Sequence, residues 1–154
     1  MSKEQFLIAM RFLAASVSVI STKDSSGKLY AMTASSVTSL TIDPPSILVC
    51  VNKEASIHDA LTQGENLCIN ILQKHQQEIS NLCSSKKLES QRFENDFWDT
   101  TYIPFVKNAQ SNIFCKVEET IAYHTHKIVI ASVDSSQSEN QFNTLMYADG
   151  GYLD

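Results

Sequence analysis

A hydroxyl-rich run with β patterning, ended by two consecutive prolines, constrains the fold of this chain more than any other feature. The run begins at Met32 and ends at Pro44-Pro45, and the chain then restarts as an apolar strand over residues 47–51. Proline cannot donate a ladder hydrogen bond, so the pair separates two strands. Seven hydroxyl side chains lie in the run or directly after it: Thr33, Ser35, Ser36, Thr38, Ser39, Thr41 and Ser46.

Hydroxyls and backbone N–H groups on a strand-to-turn segment can hold a phosphate group without a glycine-rich loop. The glycine content supports this interpretation, because the four glycines are too few and too scattered for the sequence to contain either a GxGxxG or a P-loop motif. A hydroxyl-rich strand is more often a half-exposed β face, so the residues alone leave both interpretations open.

Length and composition fit one globular domain over residues 1–154. The net charge is -5 and no basic stripe is present, which argues against nucleic-acid binding. The four cysteines form no CxxC motif, which favours reduced thiols over disulfides or zinc. The N-terminal apolar run is broken by Arg11, and no segment approaches the roughly twenty apolar residues of a membrane span. We therefore expect a cytoplasmic chain without a metal site.

Residue periodicity predicts mainly strands with short helices between them. Ser2 and Gln5 form a capping-box pattern ahead of an amphipathic helix. Two β-patterned runs, 17–23 and 28–34, flank a turn and predict a hairpin. Further strands are predicted at 66–72, 113–117 and 127–133, and short helices from Ser56 and over 76–84. Six or more strands with inserted helices favour a closed or partly closed barrel.

Along nearly its whole length the chain resembles the short-chain flavin reductases, whose fold is the FMN-binding split barrel. The most specific match is the segment 33–45 with its double proline, followed by a strand that ends in Asn52. Further matches continue in register: Met10-Arg11-Phe12-Leu13, Val17-Ser18-Val19-Ile20, Cys68-Ile69-Asn70-Ile71-Leu72, Arg92-Phe93, Pro104, Phe114-Cys115-Lys116-Val117 and His126.

The resemblance implies a mainly β fold with short helices, namely a six-stranded split β-barrel that forms a homodimer. FMN or FAD would bind in a groove between the subunits. The implied activity is that of an NAD(P)H:flavin oxidoreductase, in which hydride passes from NADH or NADPH to flavin N5. Many relatives release reduced flavin to a separate monooxygenase, so such a partner is expected. Because the cofactors carry the chemistry, the protein needs mainly to bind and orient them.

The resemblance also assigns site residues by position. Six would line the flavin ring: Met32, Thr33, Ala34, Cys50, Val51 and Asn52. The Thr33 hydroxyl would bond near flavin N5 or O4. Ser35 and Ser36 would hold ribityl and phosphate oxygens, helped by the amino end of the helix predicted at Ser56. His126 would contact the nicotinamide or supply a proton. Arg92, Phe93 and Tyr152 complete the cofactor-binding set.

Several of these residues have a structural alternative. Asn52 can close a turn through its side chain. Arg92 can pair with Glu89 or Asp96 on the surface. His126, at the start of a strand, is as typical of a surface histidine as of a nicotinamide contact.

Two other functions stay open at this point. The pair His124-Thr125 stands where the family carries Gly-Asp. Because of this difference, the chain can also be a flavoprotein that retains its flavin, either without catalytic activity or as an electron carrier. A pyridoxamine-phosphate-oxidase-like enzyme shares the barrel. The chain offers that class only two arginines, Arg11 and Arg92, for its basic phosphate site.

Overall fold

Strands are the commonest secondary structure in the computed structural model, which describes all 154 residues. The hairpin predicted over 17–34 is confirmed, since its strands pair antiparallel with Lys23 opposite Leu29. The strands predicted over 113–117 and 127–133 are parts of two longer ones of 13 residues each. In chain order the strands are β1 (Ala15–Ser16), β2 (Ser18–Lys23), β3 (Leu29–Ala34), β4 (Val37–Ile42), β5 (Pro45–Asn52), β6 (Asn66–Ile71), β7 (Trp98–Asp99), β8 (Phe105–Val106), β9 (Ser111–Tyr123), β10 (His126–Ser138), β11 (Met146–Ala148) and β12 (Gly151–Leu153).

The predicted N-terminal helix is confirmed as α1, Lys3–Arg11. Its first turn is closed by the capping box, because Gln5 N donates to Ser2 Oγ and Ser2 N donates to the Gln5 side-chain oxygen. No residue of α1 is buried. The second helix, α2, spans Gln77–Ser84. Three 3₁₀ helices lie at His58–Ala60, Lys74–Gln76 and Lys86–Gln91. None of the helices combines the length and the apolar character needed to cross a membrane.

The helix predicted from Ser56 is wrong, because that segment contains only the 3₁₀ turn His58–Ala60. Leu61 leaves the helical region at φ -94° and ψ 76°. The buried ammonium group of Lys127 donates to the carbonyl oxygens of His58 and Leu61. A continuing α-helix would need the His58 carbonyl for its own i+4 amide. A lysine distant in sequence therefore binds the end of the turn and holds it against β10.

Seven strands form one antiparallel sheet in the order β3-β2-β6-β9-β10-β5-β4, which corrects the six-stranded barrel implied by the resemblance. The edge strands β3 and β4 follow each other in the chain and are joined only by Ser35 and Ser36. Because three peptide units span at most about 11 Å, the sheet must curl until its edges meet at that end. The edges do not pair with each other, so the sheet is curled and split rather than closed.

The two faces of the sheet carry separate apolar cores. Along β2, Val19 belongs to one core and Ile20 to the other, as expected when successive side chains point to opposite faces. The core that contains Ile20 fills the inside of the curled sheet. The core that contains Val19 includes Ile79, so it joins the sheet to α2. Helix α2 is thereby held beside β3, next to the split.

A buried polar network joins β6 to its neighbours through the Asn70 side chain. Asn70 Nδ2 donates to the carbonyl of Val19 at 2.7 Å and to Ser21 Oγ at 3.0 Å. Asn70 Oδ1 accepts from Val106 N and from Asn112 Nδ2, both at 2.8 Å. One fully buried amide thus satisfies groups on β2, β8 and β9.

Candidate functional site

The short connection between the edge strands is fixed to β5 by a single hydroxyl. Ser36 Oγ lies 3.1 Å from the carbonyl oxygen of Cys50 and 3.3 Å from its amide nitrogen, so it donates to the first and accepts from the second. Strand β4 pairs with β5 only as far as Val37 opposite Val49. The end of β5, from Cys50 to Asn52, therefore has no partner strand on the β4 side and borders the split.

Helix α2 is tied to the other side of the split by two hydroxyl groups. The Thr33 hydroxyl donates to the Ser80 carbonyl at 2.6 Å. The Tyr152 hydroxyl lies 2.9 Å from Ser80 Oγ and 2.8 Å from Asn81 Oδ1. The proton of Thr33 is thus already used, and its hydroxyl can serve a ligand only as an acceptor.

A cleft of about 450 Å³ opens beside Thr33, between β3, α2 and the β11–β12 hairpin; we call it the ring cleft. Tyr147 and Tyr152 form an edge-on aromatic pair in its wall, with ring centroids 5.7 Å apart. Neither lysine nor arginine lines it. Its lining residues are Val17, Thr33, Ala34, Ser35, Ser80, Asn81, Ser84, Tyr147, Gly150, Gly151 and Tyr152.

The hairpin wall of the ring cleft is anchored to α1. Arg11 Nε donates to Asp149 Oδ1 at 2.9 Å, and Arg11 Nη2 donates to the Asp149 carbonyl at 3.0 Å. Asp149 N donates back to the Arg11 carbonyl at 2.6 Å. The turn itself needs left-handed backbone, with φ 50° at Asp149 and 79° at Gly150. Arg11 therefore holds the tip of the hairpin in place.

A second cleft, of about 370 Å³, adjoins the ring cleft; we call it the charged cleft. The two share Thr33 and Ser84, so together they form one trough around these residues. The thiol of Cys83 also lines it, and burial raises the pKa of that thiol to about 12, which keeps it protonated at neutral pH. The lining residues are Met32, Thr33, Asn52, Glu54, Ala55, Ser56, Cys83, Ser84, Lys86, Glu89 and Arg92.

Arg92 brings a buried positive charge to the charged cleft. It is only 6% exposed and donates to three carbonyls, those of Ala31 at 2.6 Å, Leu82 at 3.1 Å and Ser85 at 3.0 Å. A guanidinium has five N–H donors, so two remain for another partner. No carboxylate forms an ion pair with it. A buried cation with spare donors fits an anionic group such as a phosphate.

Most of the residues predicted for the site border this trough, and five do not. The surface pairing of Arg92 with Glu89 or Asp96 is wrong, because its bonds go to carbonyls. The bordering residues are Met32, Thr33, Ala34, Ser35, Asn52, Ser56, Arg92 and Tyr152. Those outside the linings are Ser36, Cys50, Val51, Phe93 and His126.

The residues outside the linings have visible structural roles. The Val51 side chain is fully buried in the inner core. Phe93 packs against Trp98 with ring centroids 4.6 Å apart. Asn52 lines the charged cleft and also closes a turn, since its Oδ1 accepts from Glu54 N at 2.9 Å. The helix N-terminus predicted to assist Ser35 and Ser36 does not exist, so it contributes nothing to phosphate binding.

His126 is exposed at the start of β10, directly opposite Asn52 on β5. Its Nδ1 lies 2.9 Å from Thr125 Oγ1, which leaves Nε2 for another contact. Residues directly opposite on neighbouring strands have Cβ atoms about 5 Å apart. His126 is thus a near neighbour of a cleft residue without lining the cleft itself.

Sequence reasoning missed the contribution of α2 and of two charged side chains. Ser80 and Ser84 are four residues apart and line the ring cleft from one face of the helix. That i, i+4 hydroxyl pattern was a usable signal, because such residues share a helix face. Glu54, in the loop after β5, and Lys86, at the start of the 3₁₀ helix Lys86–Gln91, both line the charged cleft, and no local pattern distinguishes them from other surface charges.

Comparisons of the sequence and of the fold with known proteins give one consistent result. The family model for the flavin reductase like domain matches residues 10–154. The FMN reductase (NADH) RutF of Pseudomonas syringae pv. syringae is 35% identical over 148 residues, which cover 95% of this chain and 83% of that protein. The FMN reductase (NADH) RutF of Acinetobacter baylyi is 33% identical over 154 residues, covering 99% of this chain and 81% of that protein.

Solved structures show the same fold. A candidate flavin reductase from Haemophilus somnus 129PT superposes with a TM-score of 0.91 at 32% identity, covering 99% of both chains. The styrene monooxygenase flavin reductase of Pseudomonas putida S12 has a TM-score of 0.86 at 25% identity, covering 97% of this chain and 96% of that one.

Proposed function

The chain belongs to the flavin reductase-like family, and from this we propose that it is an NADH-dependent flavin reductase that takes FMN as its flavin. The single observation that carries the proposal is the trough around Thr33. One end holds a buried cation with spare donors, and the other end is uncharged and walled by two tyrosines. FMN has the same polarity, with a phosphate at one end and a flat ring at the other.

We propose that the phosphate binds in the charged cleft. Arg92 would donate its two remaining N–H groups, and Lys86 and Ser56 line the same cleft. Ser36 is already bonded to Cys50, and Ser35 lines the ring cleft. The hydroxyls of the Ser35-Ser36 pair would therefore serve the ring and ribityl side rather than the phosphate.

The ring would lie along β3 from Met32 to Ala34, with its pyrimidine side toward the unpaired end of β5. When bound, the flavin accepts a hydride from the nicotinamide and so supplies the redox chemistry. The protein positions the two molecules, and holding reactants at about 3–3.5 Å is a large part of catalysis. Tyr152, fixed by Ser80 and Asn81, gives the nicotinamide side of the site a rigid aromatic wall.

NADH is the proposed electron donor over NADPH. Both RutF relatives carry NADH in their names. The ring cleft has no lysine or arginine in its lining to neutralise the 2′-phosphate of NADPH. Arg11, the nearest cation of the hairpin wall, is already paired with Asp149.

His126 is proposed to contact the nicotinamide or to supply a proton, through its free Nε2. Replacing His126 by Ala is expected to raise the KM for NADH by about 5-fold, which corresponds to one hydrogen bond of roughly 1 kcal/mol. The KM for FMN is expected to change by less than about 2-fold. Steady-state kinetics with each substrate varied in turn measures both constants.

His124 provides the matched control for His126, because it is exposed in the same turn. The His124→Ala variant is expected to keep both constants. If His126→Ala also leaves both unchanged, His126 is a surface residue without a role in the reaction.

We propose that α1 mediates a homodimer. The helix has no buried residue, yet Phe6, Leu7 and Met10 are 44–53% exposed on one side of it, which Leu13 extends. Apolar patches of this kind on a soluble chain mark interaction surfaces. A second copy of the chain is the occupant that the family resemblance implies. Since Arg11 anchors the hairpin, this interface would lie next to the ring cleft.

Leu7→Glu is expected to convert the dimer into monomers, because a carboxylate would be buried in an apolar interface. We expect the dimer dissociation constant to rise at least about 100-fold, measured by sedimentation equilibrium. Lys3→Glu also places a carboxylate on α1, at a polar position, and is expected to remain dimeric. A wild-type chain that is monomeric at all concentrations would contradict the proposal.

We further propose that the reduced flavin is released to a partner monooxygenase. The solved relative from Pseudomonas putida S12 is named as the flavin reductase of a styrene monooxygenase. Both clefts of the trough are partly open to solvent. An open site suits a flavin that leaves after reduction.

Oxidation of NADH at 340 nm, with FMN in excess over the enzyme, tests the proposed function. Turnover that requires free FMN and is slower with NADPH is the expected result. A protein that purifies with stoichiometric yellow flavin and shows no such turnover would instead be a flavin carrier, which is the remaining alternative.

A further inference from the structure

We propose that the ion pair between Lys86 and Glu54 is a gate on the charged cleft that selects a phosphate monoester over a dinucleotide. The proposal rests on the proposed function, because it names the residues by which the same site would distinguish FMN from FAD. The pair has no part in the fold or in the bonds that hold Arg92.

The ion pair joins two chain segments that both line the charged cleft. Glu54 lies in the loop after β5, and Lys86 begins the 3₁₀ helix Lys86–Gln91. Lys86 Nζ lies 3.5 Å from Glu54 Oε2, and both residues line the cleft. No other ion pair joins two residues of either cleft lining. The contact therefore links the loop after β5 directly to the 3₁₀ helix Lys86–Gln91.

Exposure fixes the order of the charges with depth. The Arg92 residue is 6% exposed, whereas the Lys86 and Glu54 side chains are 69% and 81% exposed. A phosphate on the spare N–H groups of Arg92 would thus lie deeper than Lys86 and Glu54, which both stand at the rim. A phosphate monoester carries between about 1.5 and 2 negative charges at neutral pH, which matches the two cations.

A monoester can enter at little cost. Exposed ion pairs contribute very little to stability, so Lys86 can leave Glu54 for the phosphate with almost no loss. The Glu54 carboxylate stays at the rim, where water solvates it. A terminal phosphate is thus bound by Arg92 and Lys86 without any group beyond it.

A dinucleotide has to continue past the rim. Its second phosphate and its adenosine would lie where Lys86 and Glu54 now meet, so the pair must open permanently. The second phosphate would then stand close to the Glu54 carboxylate, and like charges at such distances repel, most strongly at low ionic strength. Glu54 thus disfavours FAD specifically, while Lys86 favours either flavin through the first phosphate.

The test is isothermal titration of the full-length protein with FMN, FAD and riboflavin at low ionic strength. For the wild type we expect FMN to bind at least about 10-fold more tightly than FAD. Glu54→Gln keeps the size of the side chain and removes its charge. We expect this variant to bind FAD at least about 5-fold more tightly than the wild type does, with FMN affinity unchanged or slightly higher.

The Lys86→Gln variant distinguishes the contribution of Lys86 from that of Glu54. This variant should lower the affinity for FMN by about 10-fold. The affinity for riboflavin, which has no phosphate, should be nearly unchanged. Two matched controls are available in the same segment. Lys87 is the adjacent lysine and does not line the cleft, and Glu89 lines the cleft without an ion pair. Lys87→Gln and Glu89→Gln are both expected to leave the FMN-to-FAD ratio unchanged.

Equal binding of FMN and FAD by the wild type would overturn the gate, and so would an unchanged ratio in Glu54→Gln. An equal effect of Glu89→Gln would show that only the overall charge of the cleft matters, which also overturns it. In each of these cases flavin binding and turnover persist, so the proposed function stands. Failure of all three flavins to bind the wild type would instead reject the proposed function together with the gate.

Discussion

Replacing Arg92 by Met is expected to weaken FMN binding by about 2–4 kcal/mol, the sum of one or two charge-assisted hydrogen bonds. Riboflavin binding is expected to change by less than about 1 kcal/mol, because riboflavin lacks the phosphate that the guanidinium would contact. The difference between the two flavins is the quantity to measure, by titration of each ligand into the same preparation. Arg92→Lys keeps the charge but loses the planar fork, so its effect should be intermediate.

Arg92 also holds the carbonyls of Ala31, Leu82 and Ser85, and its loss will lower the stability of the protein. The riboflavin titration corrects for this, since a damaged site would lose both flavins alike. Lys87→Met is the matched control, because it removes a cation five residues away that does not line the charged cleft. If Arg92→Met weakens the binding of FMN and of riboflavin equally, Arg92 is a structural residue and the phosphate binds elsewhere.

Replacing Asn70 by Ala is expected to lower the free energy of unfolding by about 3–5 kcal/mol. The side chain forms hydrogen bonds with four buried partners. Each buried polar group left without a partner costs roughly 1–3 kcal/mol, and water or small structural shifts reduce the total. The partners are Val19, Ser21, Val106 and Asn112. Urea denaturation of the two proteins, followed by far-UV circular dichroism, measures the difference.

Asn66 is the matched control for Asn70, because it lies on the same strand with its side chain exposed. Asn66→Ala is expected to change the free energy of unfolding by less than about 0.5 kcal/mol. A loss below about 1 kcal/mol in Asn70→Ala would mean that water replaces the amide, and that the network does not hold β8 against the sheet.

The elements that the sequence predicts correctly are those whose cause is local. The capping box of α1 needs only Ser2 and Gln5, three residues apart, and the structure contains both of its hydrogen bonds. The hairpin over 17–34 follows from two β-patterned runs and a turn at Asp24, whose Oδ1 accepts from Ser26 N and Lys28 N. Neither element depends on a residue outside its own segment.

The predictions that are wrong depend on distant residues. Ser56 starts a helix-like pattern, but the chain leaves helical geometry at Leu61, where Lys127 of β10 donates to the carbonyls of His58 and Leu61. The number of strands in the main sheet was also wrong, because it depends on which edges pair rather than on which runs are β-patterned. The surface pairing of Arg92 was wrong for the same reason, since its acceptors lie 7 to 61 residues away.

By itself the sequence determined the strand content, the α1 cap, the fixed position of the hydroxyl-rich run and, through the double-proline segment, the family. These follow from local propensity and from residue types at set spacing, which the chain carries whether or not it is folded. Only the tertiary structure decided that Ser80, Tyr152 and Arg92 meet around Thr33, and that Lys86 faces Glu54 across a cleft. Those neighbours come from β3, α2, a terminal hairpin and a loop, and contacts between such separated segments exist only once the sheet has curled and its cores have packed.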